Sequence, residues 1–240
     1  MFFGNSTGEV GKTLPILHRC MVAVAAAAGL TLAAPQAIAA SPVHPDFSGV
    51  WEMKFREYVR KDDGTIPPLR PAALAQYNKR VAALQAGQQI PDSAIECLPH
   101  GVPRIMYTPY PVHIIQRPEV IAFLFEVNHN IRLAYVNQPL PKDPDPTYMG
   151  YSNARWEGKT LVVETNGLND KIQIDRAGLP EGESTRIVER MNLLEGGKKL
   201  SDNITVIDDT LYTEPWSFTV SYKKVDYKIM EYVCENNRMR

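Results

Sequence analysis

From Glu119 almost to the C-terminus the sequence is a succession of short strand-like runs separated by turn residues, and this one feature leaves few folds open. The runs "VIAFLFEV", "IRLAYVN", "YSNARWE", "TLVVETN", "TRIVERMNLL", "KLSDNITVID", "WSFTVSYKK" and "YKIMEYVC" are rich in β-branched and aromatic residues. Glu157-Gly158-Lys159 and Glu195-Gly196-Gly197-Lys198 mark hairpin turns between them. One more strand is expected earlier, at "SGVWEM". Strands in direct succession form an antiparallel up-and-down sheet, which removes its exposed edges by closing on itself. The expected fold is mainly β: an antiparallel up-and-down barrel with one helical segment, near 71–87, packed on it.

That helix is read from "AALAQYNKRVAALQAG", where Leu74, Tyr77, Val81 and Leu84 recur at three- and four-residue spacing. Pro71 suits its first turn and Gly87 its end, and the helix should lie over the sheet as a lid or plug. The stretch "PHGVPRIMYTPYPVHIIQRPEV" is so rich in proline that short extended pieces are expected there rather than a central strand.

Register follows in two places. With Gly158-Lys159 as a two-residue turn, Trp156 faces Leu161, Ala154 faces Val163 and Ser152 faces Thr165, which makes this set the interior face. In "WSFTVSYKK", Trp216, Phe218, Val220 and Tyr222 should point inward and Ser217, Thr219 and Ser221 outward.

The "DFSGVW" opening followed by a barrel meander resembles the Gly-x-Trp start of lipocalins and their calycin-like relatives. The longer pattern "CLPHGVPRIMYTPYP", "NHNIRLAYVN", "DPDPTYMGYSNARWEGKTLVVETNGLND", "DRAGLP" and "EYVCEN" is similar to a group of exported bacterial hypothetical proteins, and it spans most of the chain after residue 40. The resemblance implies a lipocalin-like barrel and a bacterial source, with no named reaction. The chain departs from that pattern at Leu168, where a phenylalanine is expected, and at Glu181, where a histidine is expected.

The N-terminus has a compartment written into it. Lys12, His18 and Arg19 precede the apolar run "MVAVAAAAGLTLAA", and small residues at Ala37, Ala39 and Ala40 supply a cleavage site. Residues 1–40 are read as a signal peptide that is removed, leaving 41–240 as a single barrel domain exported to the bacterial periplasm. A transmembrane anchor is the alternative, but the apolar run is shorter than the ~20 residues a span needs. No stable membrane insertion is expected after cleavage.

Cys97 and Cys234 remain after cleavage. In an oxidising compartment an even pair suggests a disulfide, with two separate buried thiols as the alternative. Their spacing makes a poor zinc site, and neither a metal nor a cofactor is expected. Asp143 and Asp145 in "DPDPTYMG" lack the glycine and further oxygen donors of a calcium loop. Lys+Arg 26 against Asp+Glu 27 gives a net charge of -1 without a basic block, so no nucleic-acid partner is expected.

A barrel of this size can hold one small organic ligand, so attention falls on polar groups that face inward or rim a mouth. Glu189 shares an apolar face with Ile187, Met191 and Leu193. A carboxylate there either finds a cation such as Arg132 or Arg155, or has its pKa raised and suits acid–base work. In "VNHNIRLAYVN", His129 sits at an expected hairpin tip flanked by Glu126 and Arg132, where it could shuttle a proton, or where the asparagines could simply supply turn chemistry.

Tyr107 and Tyr110, held beside prolines, and the inward Trp156 and Trp216 suit a flat ligand. Asn166 and Asp170 belong to a long polar loop that could act as a lid. No GxSxG elbow, P-loop, HExxH or dinucleotide fingerprint is present. Three readings follow: a carrier or sensor of a small apolar or aromatic molecule; a cofactor-independent lyase, isomerase or hydrolase using Glu189 or His129, with Arg132 orienting substrate; and an envelope interaction module with a filled barrel and an exposed apolar patch.

Overall fold

The computed structural model describes residues 44–54 and 58–235. The expected signal peptide at 1–40 lies outside them. Nine strands run in order: β1 (Gly49–Met53), β2 (Val112–Gln116), β3 (Val120–Phe125), β4 (Ile131–Val136), β5 (Tyr151–Glu157), β6 (Thr160–Asn166), β7 (Arg186–Leu194), β8 (Lys199–Ile207) and β9 (Trp216–Val225). Each pairs with the next, and β9 pairs with β1, so the barrel is closed.

The barrel is not antiparallel throughout: β4 and β5 run parallel, with Ala134 opposite Ser152 and Val136 opposite Ala154. Closure explains the departure from the expected meander. Strands that alternate in direction can close with antiparallel pairs alone only if their number is even. Nine strands with an antiparallel β1–β9 seam need an odd number of parallel pairs, and β4–β5 is that pair. A parallel pair needs a crossover of about a dozen residues or more. The segment from Asn137 to Gly150 provides it, and side chains of β5 and β6 hold it: Asn153 Nδ2 donates to the Gln138 carbonyl at 3.0 Å and Asn166 Nδ2 to the Pro141 carbonyl at 2.8 Å.

Two further differences concern the strands themselves. Val112–Gln116 is a barrel strand because Pro111 and Pro118 bracket it and do not interrupt it. "YKIMEYVC" is not a strand: a closed barrel offers no free edge, and the segment pairs with the barrel by a single bridge between Tyr232 and Val127. It forms a strap instead. Elsewhere the expected register holds, with Trp156 opposite Leu161, Ala154 opposite Val163 and Ser152 opposite Thr165. Gly158 supplies the positive φ, 62°, that the tight turn requires.

Strand directions sort the connections. Apart from the end-to-end crossover 137–150, the long ones, 54–111, 167–185 and 208–215, lie at one end of the barrel, which we call the mouth, while the short turns at 117–119, 158–159 and 195–198 lie at the other. Helix α1 (Pro71–Gln85) belongs to the first long connection. It buries Tyr77 fully, with Leu74, Val81 and Leu84 partly packed on the core. The part that enters the barrel is the 3-10 turn Arg104–Tyr107, all four of whose residues are buried. Met106 Sδ reaches Arg132 Nη1 at 3.3 Å inside, and the Tyr222 hydroxyl donates to the Met106 carbonyl.

The lumen is therefore filled by side chains. Phe123, Leu161, Val163, Ile187, Met191 and Ile204 are each 0% exposed, so no space large enough for a water molecule adjoins them. Outside, β4 turns Ile131, Leu133 and Tyr135 to solvent beside Tyr151 of β5, an exposed apolar face.

Candidate functional site

Among the described residues, one polar cluster lies in the barrel interior. Arg132, 2% exposed, places its guanidinium fork on the Glu189 carboxylate, with Nη1 to Oε1 at 2.9 Å and Nη2 to Oε2. Its remaining donors go to Ser152 Oγ at 3.0 Å and Thr165 Oγ1 at 2.8 Å, and its Cζ lies 5.4 Å from the centre of the Phe123 ring. The alternative in which Glu189 pairs with a cation is the one realised, and Arg132 is the cation; Arg155 sits outside and bonds Glu157 and Glu164.

Asp202 completes the cluster. It is diagonal to Glu189 across β7 and β8 and 0% exposed, and no donor reaches either of its oxygens. Burial first, then the Glu189 charge, push its carboxyl well above the usual range. It therefore carries a proton, and only in that form does its contact with Glu189 become a hydrogen bond. The cluster sets one guanidinium against two carboxyl groups, all at most 2% exposed.

A cavity of about 450 Å3 opens at the mouth instead. Its floor is the segment 100–110, with His100, Arg104, Tyr107 and Tyr110. One wall is the turn carrying Asp92 and Ile95; another is Tyr232 of the strap, whose ring centre lies 4.4 Å from that of Tyr110. The disulfide Cys97–Cys234 joins these two walls directly, with a Cα–Cα distance of 5.4 Å. The strap is fixed further by the β3–β4 tip: Asn128 Oδ1 accepts from the Cys234 N–H at 3.0 Å and Glu126 Oε2 from the Met230 N–H at 2.7 Å. A neighbouring cleft of about 260 Å3 shares Asp92, Ile95 and Arg176 with the cavity.

Electrostatics divide the floor into a fixed charge pair and neutral groups. Asp92 and Arg104 form a two-point bridge at 2.6 and 2.8 Å. Burial alone would raise the Asp92 carboxyl, but the Arg104 guanidinium holds it below the ordinary range. Tyr107 is pushed well above an ordinary phenol by burial, and its hydroxyl has no partner among the described residues. Burial, assisted by the Arg104 charge, lowers His100 from 6.5 to about 4. Its imidazole is neutral at neutral pH and a weak base, which suits hydrogen bonding to a ligand better than proton abstraction.

The depressed His100 has a consequence for stability. The unfolded chain takes up a proton on this histidine as pH falls through 6.5, while the folded chain resists until about 4. Stability from His100 is therefore complete above that window and is lost as pH falls through it. Asp175, Glu181 and Asp202, all raised by burial, act in the opposite sense, so the test is a difference. Between about pH 7 and about pH 4.5 the wild type should lose about 2–3 kcal/mol relative to His100→Gln in urea unfolding. Parallel curves for the two proteins would show that His100 does not titrate in this way.

The residues singled out from the sequence fall into separate places. Tyr107 and Tyr110 line the mouth cavity, and Glu126 anchors the strap beside it. His129 occupies the β3–β4 tip with φ 50°, next to Asn128 at φ 52°, so "VNHN" is a turn whose first asparagine pins the strap. Arg132 and Glu189 meet inside the barrel. Trp216 is buried at the mouth end, stacked on Phe218 at 5.6 Å.

Trp156 is only half-buried at the opposite end, its ring stacked on His44 at 4.4 Å. Asn166 holds the crossover, and Asp170 lines a different cleft beneath α1. Sequence reasoning passed over Asp92, His100, Arg104 and Tyr232. His100 and Arg104 had a signal in density, one histidine and one arginine among two tyrosines within "HGVPRIMYTPY", beside Cys97, while Asp92 and Tyr232 lie outside that stretch.

Neither the protein-family models nor the curated proteins compared with this chain give a match. The fold and the mouth cavity define the chain as a closed nine-stranded barrel with a filled lumen and a tyrosine-walled pocket at one end.

Proposed function

We propose that the protein binds a small, flat aromatic molecule in the mouth cavity, as a periplasmic carrier or sensor. The observation that carries this is the cavity of about 450 Å3 lined by Tyr107, Tyr110 and Tyr232, whose charged lining is the internally paired Asp92–Arg104 bridge and Arg176. Its size is within the ~300–1,000 Å3 of small-molecule sites, and aromatic walls with few polar groups are their usual lining. The packed lumen moves the ligand from the barrel axis to its mouth. The neutral, weakly basic His100 favours binding over acid–base turnover.

Titration with indole and benzoate, followed by tyrosine fluorescence, tests the assignment. Saturable binding of at least one probe is expected, weakened about three- to tenfold per ring by Tyr110→Ala and Tyr232→Ala. Binding unaffected by both substitutions would remove the cavity from the account.

Export accompanies this reading. The charged, apolar and small-residue order of residues 12–40 supports a cleaved signal peptide, and the Cys97–Cys234 bond fits an oxidising compartment. The "DFSGVW" first strand within a closed barrel supports kinship with lipocalin-like exported bacterial proteins. An intact mass beginning at about Ala40 or Ser41 is the expected result for protein recovered from its host.

The interaction-module reading draws on a different observation, the apolar face of Ile131, Leu133, Tyr135 and Tyr151 above a filled lumen. Under that reading Leu133→Lys abolishes a self-association visible in sedimentation of the wild type.

A further inference from the structure

Two nitrogens on the floor of the mouth cavity are left unused by the fold. Both sit on one short segment, 100–104, whose course is set locally. Gly101 takes a φ of +72°, and a methyl group on it would lie 2.0 Å from Ile172 Cδ1 and 2.8 Å from the Tyr148 carbonyl oxygen, so only glycine passes there. The Ile105 N–H then bonds the Gly101 carbonyl at 2.8 Å and leads into the 3-10 turn that carries Arg104. His100 is thereby held at 9% exposure and Arg104 at 8%, and the cavity is the space that both line.

Arg104 meets Asp92 end-on, through Nη1 and Nη2, which leaves the Nε–H edge of its guanidinium without a partner among the described residues. That nitrogen is not sealed from solvent. His100 divides in the same way. Its Nδ1 is sealed and unpartnered, whereas Nε2, which also makes no hydrogen bond among the described residues, keeps accessible surface. A hydrogen on Nδ1 would be a buried donor with no acceptor, so the neutral ring carries its hydrogen on Nε2, the atom open to the cavity. Burial and the Arg104 charge both favour that neutral form. Asp92 is the one carboxylate of the lining among the described residues, and it is already taken by Arg104 and by the Ala94 N–H at 3.0 Å.

We infer that the ligand of the mouth cavity is an aromatic carboxylate, its ring against Tyr110 and Tyr232 and its oxygens accepting from His100 Nε2–H and Arg104 Nε–H. This rests on the reading of the cavity as an aromatic site and narrows it to one class. An ionised carboxylate is acceptor-only and has two oxygens, so one group can answer both donors, and its bond to the guanidinium is charge-assisted. A neutral amide brings donors of its own that this floor does not need. An amine leaves both N–H groups unmet and sets a like charge beside Arg104, so the floor selects against it as well as for the acid.

Isothermal titration with benzoate, benzamide, benzylamine and indole separates the charge of the ligand from its ring. Benzoate is expected to bind about tenfold or more tighter than benzamide and benzylamine. His100→Phe keeps a flat ring without the donor, and Arg104→Lys keeps the charge opposite Asp92 without the Nε–H. Each should weaken benzoate by about tenfold or more. Indole, which carries no acceptor group, should bind both variants as it binds the wild type, and this also shows that they are folded. Benzoate affinity equal in the wild type and both variants, or benzamide or benzylamine binding as tightly as benzoate, would overturn the inference and leave the aromatic site standing. Absence of saturable heat with both indole and benzoate would overturn that site and the inference with it.

Discussion

Arg132→Met is expected to lower the free energy of unfolding by about 3–5 kcal/mol at neutral pH, the largest effect of any single substitution in the barrel. The reason lies in what remains. Methionine fills much of the arginine's volume, but Glu189 and Asp202 are then left facing one another at 0% exposure with no cation between them. Both must hold protons for the fold to survive, and a carboxyl whose folded pKa is raised loses stability as pH rises through that value.

The deficit of Arg132→Met should therefore shrink by several kcal/mol when urea unfolding is repeated near pH 4.5. A simple packing defect would be independent of pH. Asp202→Asn, which replaces a neutral acid with a neutral amide, should stay within about 1 kcal/mol of wild type. An equal deficit for Arg132→Met at both pH values would show that the guanidinium does not neutralise the interior.

Loss of the Cys97–Cys234 bond is the second large effect. Its sequence separation of 137 residues makes the closed loop most of the folded chain. Loop entropy alone suggests about 5 kcal/mol for a closure of this length, and native disulfides typically contribute about 2–4 kcal/mol, so the Cys97→Ser/Cys234→Ser protein should be less stable by about 2–5 kcal/mol. A second readout separates this bond from a generic staple. It ties the Asp92–Ile95 wall to Tyr232, so the double variant should also lose affinity for aromatic probes under conditions where it is fully folded. Unchanged stability together with unchanged binding would mean that the hydrogen bonds from Asn128 and Glu126 hold the strap on their own.

How much of this was legible in the sequence depended on the range of the interaction. The hairpin at Gly158-Lys159 was readable down to its residue pairs, because turn geometry fixes register locally and the alternation of Ser152, Ala154 and Trp156 agrees with it. The inward face of β9 and the placement of Glu189 were legible for the same reason. The parallel β4–β5 pair was not, because it is imposed by closure of the whole ring, and no local pattern marks a strand that enters from the other end. Strand β2 was hidden by prolines that turn out to flank it.

The site was the least legible part. The mouth cavity is assembled from the turn at Asp92, the inserted segment from His100 to Tyr110 and the strap at Tyr232, which only the disulfide and the tertiary fold bring together. Tyr107 and Tyr110 were visible as candidates because of their chemistry. Asp92 and Arg104 became meaningful only as a pair, twelve residues apart. "YKIMEYVC" alternates like a strand, and nothing local says that the closed barrel has no edge left for it.

The most direct test of the account is a native mass spectrum of the mature protein isolated from its own host, set against its denatured mass and against the Tyr110→Ala/Tyr232→Ala variant prepared in the same way. Added mass of one small organic molecule is expected on the wild type, lost on denaturation and absent from the variant. A native mass equal to that of the bare chain, or an added mass that the variant retains, would contradict it.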